Sequence, residues 1–201
     1  MPQLIFGAML EALFEQLEAY APLDDSDRQL LGAVVRSKVF QRGDYLLRAG
    51  AISKSFFFVV SGFVRLYYDR DSGEKTAYFY QERQFVSAYE SYMHQSPCRF
   101  NLQAIESCQV LEFTQEAASH LLNHSSKFEK LARLALENEL LINQRIIGSL
   151  LALNPVERYL HLLDENPQVF QRVPQHYIAS YIGVVPETLS RIKKRALSQK
   201  S

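Results

Sequence analysis

A chain of 201 residues with 47% hydrophobic content has room for one large domain or two modest ones around a packed core. No apolar run approaches the roughly 20 residues of a membrane span, and the apolar start at residues 4–10 lacks a basic flank and is broken by Glu11, which leaves the cytoplasm as the expected compartment. The 22 basic and 22 acidic residues cancel, and with only Cys98 and Cys108 present a four-cysteine zinc or iron–sulfur site is excluded and two buried thiols are expected.

In chain order, Leu10, Leu13, Phe14 and Leu17 repeat at helical spacing, Pro22 breaks the pattern, and Leu30, Leu31, Val34 and Val35 form a second stripe behind a cluster of capping aspartates. From Lys38 the period shortens. Short β-rich runs at 39–41, 45–47, 56–60, 63–68, 75–80, 100–104 and 110–113 are separated by glycine-bearing turns at 42–44, 49–50, 61–62 and 69–73. Many short strands with turns at regular spacing predict a sandwich, jelly roll or small barrel.

Helical periodicity resumes at Thr114 and starts again at Ser126, where Glu129 stands in capping-box position. From there to about Ala152 no proline intervenes, which predicts one helix of about seven turns. Its apolar residues cover more than one face. Leu136, Leu140, Ile147 and Leu150 form a seam of alternating four- and three-residue steps through Asn143, while Phe128, Leu131, Leu134, Leu141, Ile142 and Ile146 widen the arc. A helix on a sheet needs one stripe, so a second predicts a second neighbour, with Asn143 able to fix the register of a paired coil; burial within a monomer is the competing explanation. Asn154, Pro155 and Glu157 then supply the N-cap, first-turn proline and returning carboxylate of a further helix to about Leu163, followed by a short extended piece at 169–173.

Residues 175–195 read QHYIASYIGVVPETLSRIKKR. Ala179 is small where two crossing helices come closest, Gly183 permits a sharp turn, and Ile178, Ile182, Val184, Leu189 and Ile192 lock the pair, which is the helix-turn-helix pattern. Pro186 suits the first turn of the second helix. That helix offers Glu187, Thr188, Ser190, Arg191 and Lys194 to base edges or phosphates, with Lys193 and Arg195 adding charge. Within residues 172–201 six basic residues face the single acid Glu187, so this tail carries a net +5 and the preceding 171 residues −5. A hairpin that merely packs explains the apolar positions but not the cationic outer face.

These residues resemble the Crp/Fnr family of transcription regulators, and the resemblance runs over residues 23–197. Gly43-Asp44, Gly50 and the run Phe58-Val59-Val60-Ser61-Gly62-Phe63-Val64-Arg65 match the family's β-roll; Pro186-Glu187-Thr188-Leu189-Ser190-Arg191 matches its reading helix, of the Fnr branch. The expected fold is α+β. An N-terminal β-roll or jelly-roll sensor domain of the cyclic-nucleotide-binding type occupies residues 1–125, a long dimerisation helix 126–153, and a helix-turn-helix domain with a truncated or minimal wing 154–201. The resemblance implies a homodimer on a two-fold-related operator of double-stranded DNA, half-sites with a TGA-like core, and an effector that alters the pose of the reading helices. RNA polymerase is a further expected partner. The chain is thus expected to be a sequence-specific DNA-binding regulator and not an enzyme. Pro186, Glu187, Thr188, Ser190, Arg191, Lys193, Lys194 and Arg195 are its candidate DNA contacts, and Leu136, Leu140, Asn143, Ile147 and Leu150 its candidate dimer interface.

Family members that bind cyclic AMP carry a phosphate-binding cassette with Gly-Glu near its start and Arg followed by Ser or Thr near its end. Here the stretches read Val86-Ser87-Ala88-Tyr89-Glu90-Ser91 and Pro97-Cys98-Arg99-Phe100. The glycine that lets backbone amides approach a phosphate is missing, and Arg99 precedes an aromatic. No cofactor is expected beyond an unidentified small-molecule effector other than cyclic AMP, with Tyr68, Tyr78, Tyr80, Glu90, Ser91 and Arg99 as candidate pocket residues. Cross-strand aromatic pairing explains the tyrosines equally well. An effector-independent DNA-binding dimer and a non-DNA β-roll sensor or enzyme are the alternatives. A metal is not expected: of His94, His120, His124, His161 and His176, only His120 and His124 have chelating spacing, without a third ligand, so solvent-facing histidines are expected. A cupin-like enzyme needs histidines on its strands, and the β-rich runs contain none.

Overall fold

The computed structural model describes residues 2–71 and 73–198; Ser72 of the 69–73 turn and Lys200 of the basic tail lie outside the described residues. Two helices, α1 (Pro2–Glu18) and α2 (Asp25–Val34), come first. The capping aspartates do what their spacing predicts: the Asp24 side chain accepts from the Asp27 N–H, and Asp27 accepts from the Asp24 N–H, each at 2.9 Å. Lys127, far along the chain, donates to both carboxylates.

The seven β-rich runs all form strands, and the described residues hold an eighth that was not expected, β6: β1 (Arg36–Phe40), β2 (Tyr45–Leu47), β3 (Ser55–Ser61), β4 (Val64–Tyr68), β5 (Lys75–Tyr80), β6 (Phe85–Val86), β7 (Asn101–Ala104) and β8 (Cys108–Thr114). A short helix, α3 (Tyr89–His94), interrupts them between β6 and β7. All pairings are antiparallel, in two four-stranded sheets ordered β1-β8-β3-β6 and β2-β7-β4-β5. Gly62 makes the turn from β3 to β4 with φ +99°, and a side chain there would start 2.6 Å from Cys108 Sγ and 2.7 Å from the Ser107 carbonyl. No other residue fits that space. Both cysteines are free and buried, as expected, and burial pushes the Cys108 thiol up to about 12.

Because successive strand residues point to opposite faces, β3 supplies two cores. Phe57 and Val59 face Val64, Leu66, Leu102 and Val110 between the sheets. Phe58, with Leu111 and Phe113 of β8, faces outward onto Leu13, Phe14 and Leu17 of α1 and Leu31 of α2.

The chain then continues as α4 (Gln115–His124), α5 (Ser126–Ala152), α6 (Pro155–Glu165), α7 (Val169–Arg172), α8 (Gln175–Ile182) and α9 (Pro186–Ser198). The long helix therefore has the expected span, and Asn154 caps α6 through the expected box with Glu157. Two expectations are corrected. The Ser126–Glu129 box is not made: Ser125 is the N-cap of α5 and makes no side-chain capping bond, a single residue separating the helix from the end of α4. The extended piece at 169–173 is instead the helical turn α7, held by bonds such as Val173 N–H to the Val169 carbonyl at 2.9 Å and by complete burial of Val169. Phe128, Leu131 and Ile142 of α5 are buried, whereas Leu140 and Ile147 are 59% and 56% exposed. No helix among the described residues is long and apolar enough to cross a membrane.

Candidate nucleic-acid interface

The α8–α9 pair is built on side chains that the sequence spacing singles out. Ile178, Ala179, Ile182, Leu189 and Ile192 are all buried in one cluster with Tyr159 and Leu162 of α6 and Val169 of α7. Gly183 ends α8 in the left-handed region at φ +85°, and its N–H and that of Val184 both donate to the Ala179 carbonyl, at 2.9 and 3.0 Å. Pro186 opens α9, where its missing N–H leaves no bond unmade. The outer face of α9 then presents Glu187, Ser190, Arg191 and Lys194 to solvent, three or four residues apart and so in one row. Lys193 and Arg195 are exposed beside that row, and Thr188 is half-buried. Ser190 Oγ donates to the Pro186 carbonyl at 3.3 Å.

The pair does not stand apart from the sheets. Phe63, Phe79 and Ile105, on the outer face of the β2-β7-β4-β5 sheet, belong to the same buried cluster as α6–α9. Ser180 of α8 sits on the edge strand β5: its Oγ accepts from the Thr76 N–H at 2.9 Å and donates to the Glu74 carbonyl at 2.8 Å, while Lys75 Nζ donates to the Ser180 carbonyl at 2.8 Å. Arg65 on β4 is fully buried, its guanidinium 4.2 Å from the Tyr67 ring and 3.9 Å from the ring of Tyr177 on α8. Its Nε donates to Thr76 Oγ1 at 2.8 Å and Nη1 to Glu74 at 2.6 Å, and Nη2 has no partner. Arg172 lies 4.4 Å over the Phe63 ring and pairs with Glu82 at 2.6 Å and with Glu106. Burial pushes the Glu82 carboxyl up, but hydrogen bonds from Arg172 and from the Gly62 N–H outweigh it and hold the group below its ordinary value. Sequence reasoning missed this docking; its one visible signal is a charge, Arg65, inside an otherwise apolar strand.

The candidate effector residues fall into separate places. Tyr80 is buried, donates to Glu139 of α5 at 2.9 Å and meets the Tyr78 ring edge-on at 4.8 Å. Burial raises the Glu139 carboxyl above its ordinary value against the bonds from Tyr80 and Asn143. Ser91 is buried, its hydroxyl accepting from the Ser53 N–H and donating to the Ser96 carbonyl. Glu90 and Arg99 make an exposed pair at 3.5 Å, and Tyr68 lies on the surface against Phe100. All five histidines are exposed, as expected, with the His120 and His124 rings 6.5 Å apart.

Residues 37–125 match the model of the cyclic nucleotide-binding domain. No curated protein matches the chain by sequence. Among solved structures it is similar to FixK2 of Bradyrhizobium japonicum, with TM-score 0.71, 16% identity and coverage of 83% of this chain and 86% of that one. It is similar also to the c-di-GMP responsive global regulator CLP of Xanthomonas campestris, with TM-score 0.68, 19% identity and coverage of 88% and 93%. The catabolite activator protein of Thermus thermophilus aligns with TM-score 0.56, 18% identity and coverage of 92% and 87%. The architecture, a β-roll of the cyclic-nucleotide-binding type followed by a long helix and a helical C-terminal part, is that of the Crp/Fnr-type regulators.

Proposed function

We propose that this chain is a sequence-specific transcription regulator that binds double-stranded DNA as a homodimer and responds to an effector other than cyclic AMP. The reading rests on one observation above all: Ile178, Ala179, Ile182, Leu189 and Ile192 of the helix-turn-helix core are buried, with Val184 half-buried, while the row Glu187, Ser190, Arg191 and Lys194 faces solvent with a basic flank. Residues 1–125 serve as sensor, 126–153 as dimer helix and 154–201 as reader. Arg191 donates to guanine, Glu187 accepts from cytosine and Ser190 contacts a neighbouring base, while Lys194, Lys193 and Arg195 neutralise phosphates. The half-sites contain a TGA-like core and lie about 34 Å apart. Dimerisation uses the exposed row Leu136, Leu140, Asn143, Ile147 and Leu150, an apolar strip that a soluble helix covers with a partner. Against cyclic AMP stand the missing cassette glycine and the engagement of Arg99 with Glu90 at the surface.

Selection from random duplexes followed by salt-titrated binding tests the assignment. Arg191→Ala should cost about 1–3 kcal/mol on the preferred site and flatten discrimination at one base pair. Lys194→Ala should weaken binding to all sequences alike and reduce the salt slope by roughly 0.9. Addition of millimolar cyclic AMP should change neither result. Unchanged base preference in Arg191→Ala sinks the reading-residue assignment. For the dimer, Leu140→Glu combined with Ile147→Glu should give monomers in sedimentation, and a folded wild-type monomer at micromolar concentration refutes the interface.

A further inference from the structure

A cavity of about 320 Å³ lies outside the β1-β8-β3-β6 sheet and not between the sheets. We infer that it binds a small apolar molecule carrying one hydrogen-bond-donating head group, an amine or an alcohol, lodged between the sheet and the inner face of α5. The site and ligand class stand on the cavity alone; their consequence for DNA rests on the regulator reading.

One wall is aromatic, made by Phe56, Phe85 and Phe113, with Phe56 and Phe113 stacked at 4.8 Å and Phe85 tilted against both. The facing wall is Leu131 and Ala135 of α5, where the small side chain leaves the space open. The size falls at the small end of known ligand pockets, and nearly all the lining is apolar, so the interior favours a flat or elongated hydrophobic body. Glu139 is the one charged residue lining the space, and it already accepts the Tyr80 hydroxyl. A carboxylate in the wall of an apolar slot attracts a donor and repels an acid. No lysine or arginine lines the slot, so a phosphate or carboxylate ligand has no counter-charge there. Cavity residues Leu131, Ala135 and Glu139 occupy one side of α5, whereas Leu140 and Ile147 point to a different, exposed side. An occupant of the slot therefore presses on the helix that carries the dimer strip and touches that strip at Leu136.

The test uses N-phenyl-1-naphthylamine, an apolar aromatic amine whose fluorescence rises out of water, titrated into the full chain. Wild type should bind it saturably, one per chain. Ala135→Phe and Ala118→Phe, which fill the slot from α5 and from α4, should each weaken binding at least about tenfold with the thermal midpoint retained. Glu139→Leu, which adds no bulk to the slot, should weaken it several-fold, and Leu140→Glu on the dimer strip should leave it unchanged. Absence of saturable binding, binding that survives all three cavity variants, or binding lost with Leu140→Glu overturns the inference; the last result assigns the groove to a second copy of the chain. Titrating the same proteins with the selected duplex separates the two readings. Probe binding without duplex preference sinks the regulator and keeps the site, and duplex preference without probe binding does the reverse.

Discussion

The two outer faces of the roll are covered in different ways. Over the β1-β8-β3-β6 sheet the cover is chiefly apolar, with Leu13, Phe14, Leu17 and Leu31 on Phe58, Leu111 and Phe113 and an exposed Arg83–Glu15 pair at its margin. Over the β2-β7-β4-β5 sheet only Phe63, Phe79 and Ile105 bind the helical C-terminal part by apolar contact. Around them stand directional contacts: Arg65 between two tyrosine rings, Ser180 on the β5 backbone, and Arg172 between Glu82 and Glu106. Apolar burial is non-directional and scales with area, so it holds over many small displacements. A hydrogen bond or a buried ion pair has one good geometry, and separating its partners leaves polar groups unsatisfied. The first face is built to stay closed, and the second to hold α8 and α9 in one pose.

The largest expected effect breaks the first face. Phe58→Ala should cost about 3–5 kcal/mol of global stability in denaturant titration, because a fully buried ring is removed from a packed cluster. A loss below that range would mean that the helical cover collapses to refill the space. A smaller and more local effect is expected on the second face. Ser180→Ala leaves the Thr76 N–H and Glu74 carbonyl without their partner, about 1–3 kcal/mol against docking, while the roll stays folded. Hydrogen exchange should quicken at Thr76 and along α8 but not in β3 or β8; uniform quickening would show that the two faces unfold together.

The smallest effect concerns acid. The folded Glu82 carboxyl lies below its ordinary value, so its contribution to docking is present above that ordinary value and is lost as pH falls through the folded one. Exchange along α8 should accelerate only below the ordinary carboxylate range, and Arg172→Gln should abolish that dependence. An unchanged pH profile in Arg172→Gln would assign the dependence to another group.

What the sequence revealed and what it hid divide along the same line. The α8–α9 pair was legible because its determinants, Ala179, Gly183, Pro186 and the apolar lock, are local and repeat a periodicity. The strands were legible as β-rich runs between glycine-bearing turns, except β6, whose two residues are too few to make a run. The turn α7 read as extended because Val169, Phe170 and Val173 favour strands intrinsically; burial against α6 and α8 overrides that preference. The 320 Å³ cavity and the Ser180 contacts were not legible at all. Ser180 meets Thr76 and Glu74 across more than a hundred residues, and Ala135 opens a slot only because Phe56 and Phe113 stand opposite. Nothing in local spacing encodes such distances.

Ser180 has one more consequence, for what happens when the helical part is missing. β5 closes one side of its sheet with β4 as its only neighbour, and near Thr76 the backbone groups that a further strand would use are occupied by a side chain from α8. Cut away α6–α9, and that margin is left with an unsatisfied donor and acceptor beside the bared rings of Phe63 and Phe79, the kind of surface that recruits strands from other molecules. A fragment ending after α5 should therefore self-associate through β5, and a proline at Thr76, which removes the donor, should suppress it. The C-terminal helices would then be chaperoning the sheet they rest on, shielding its margin from other molecules.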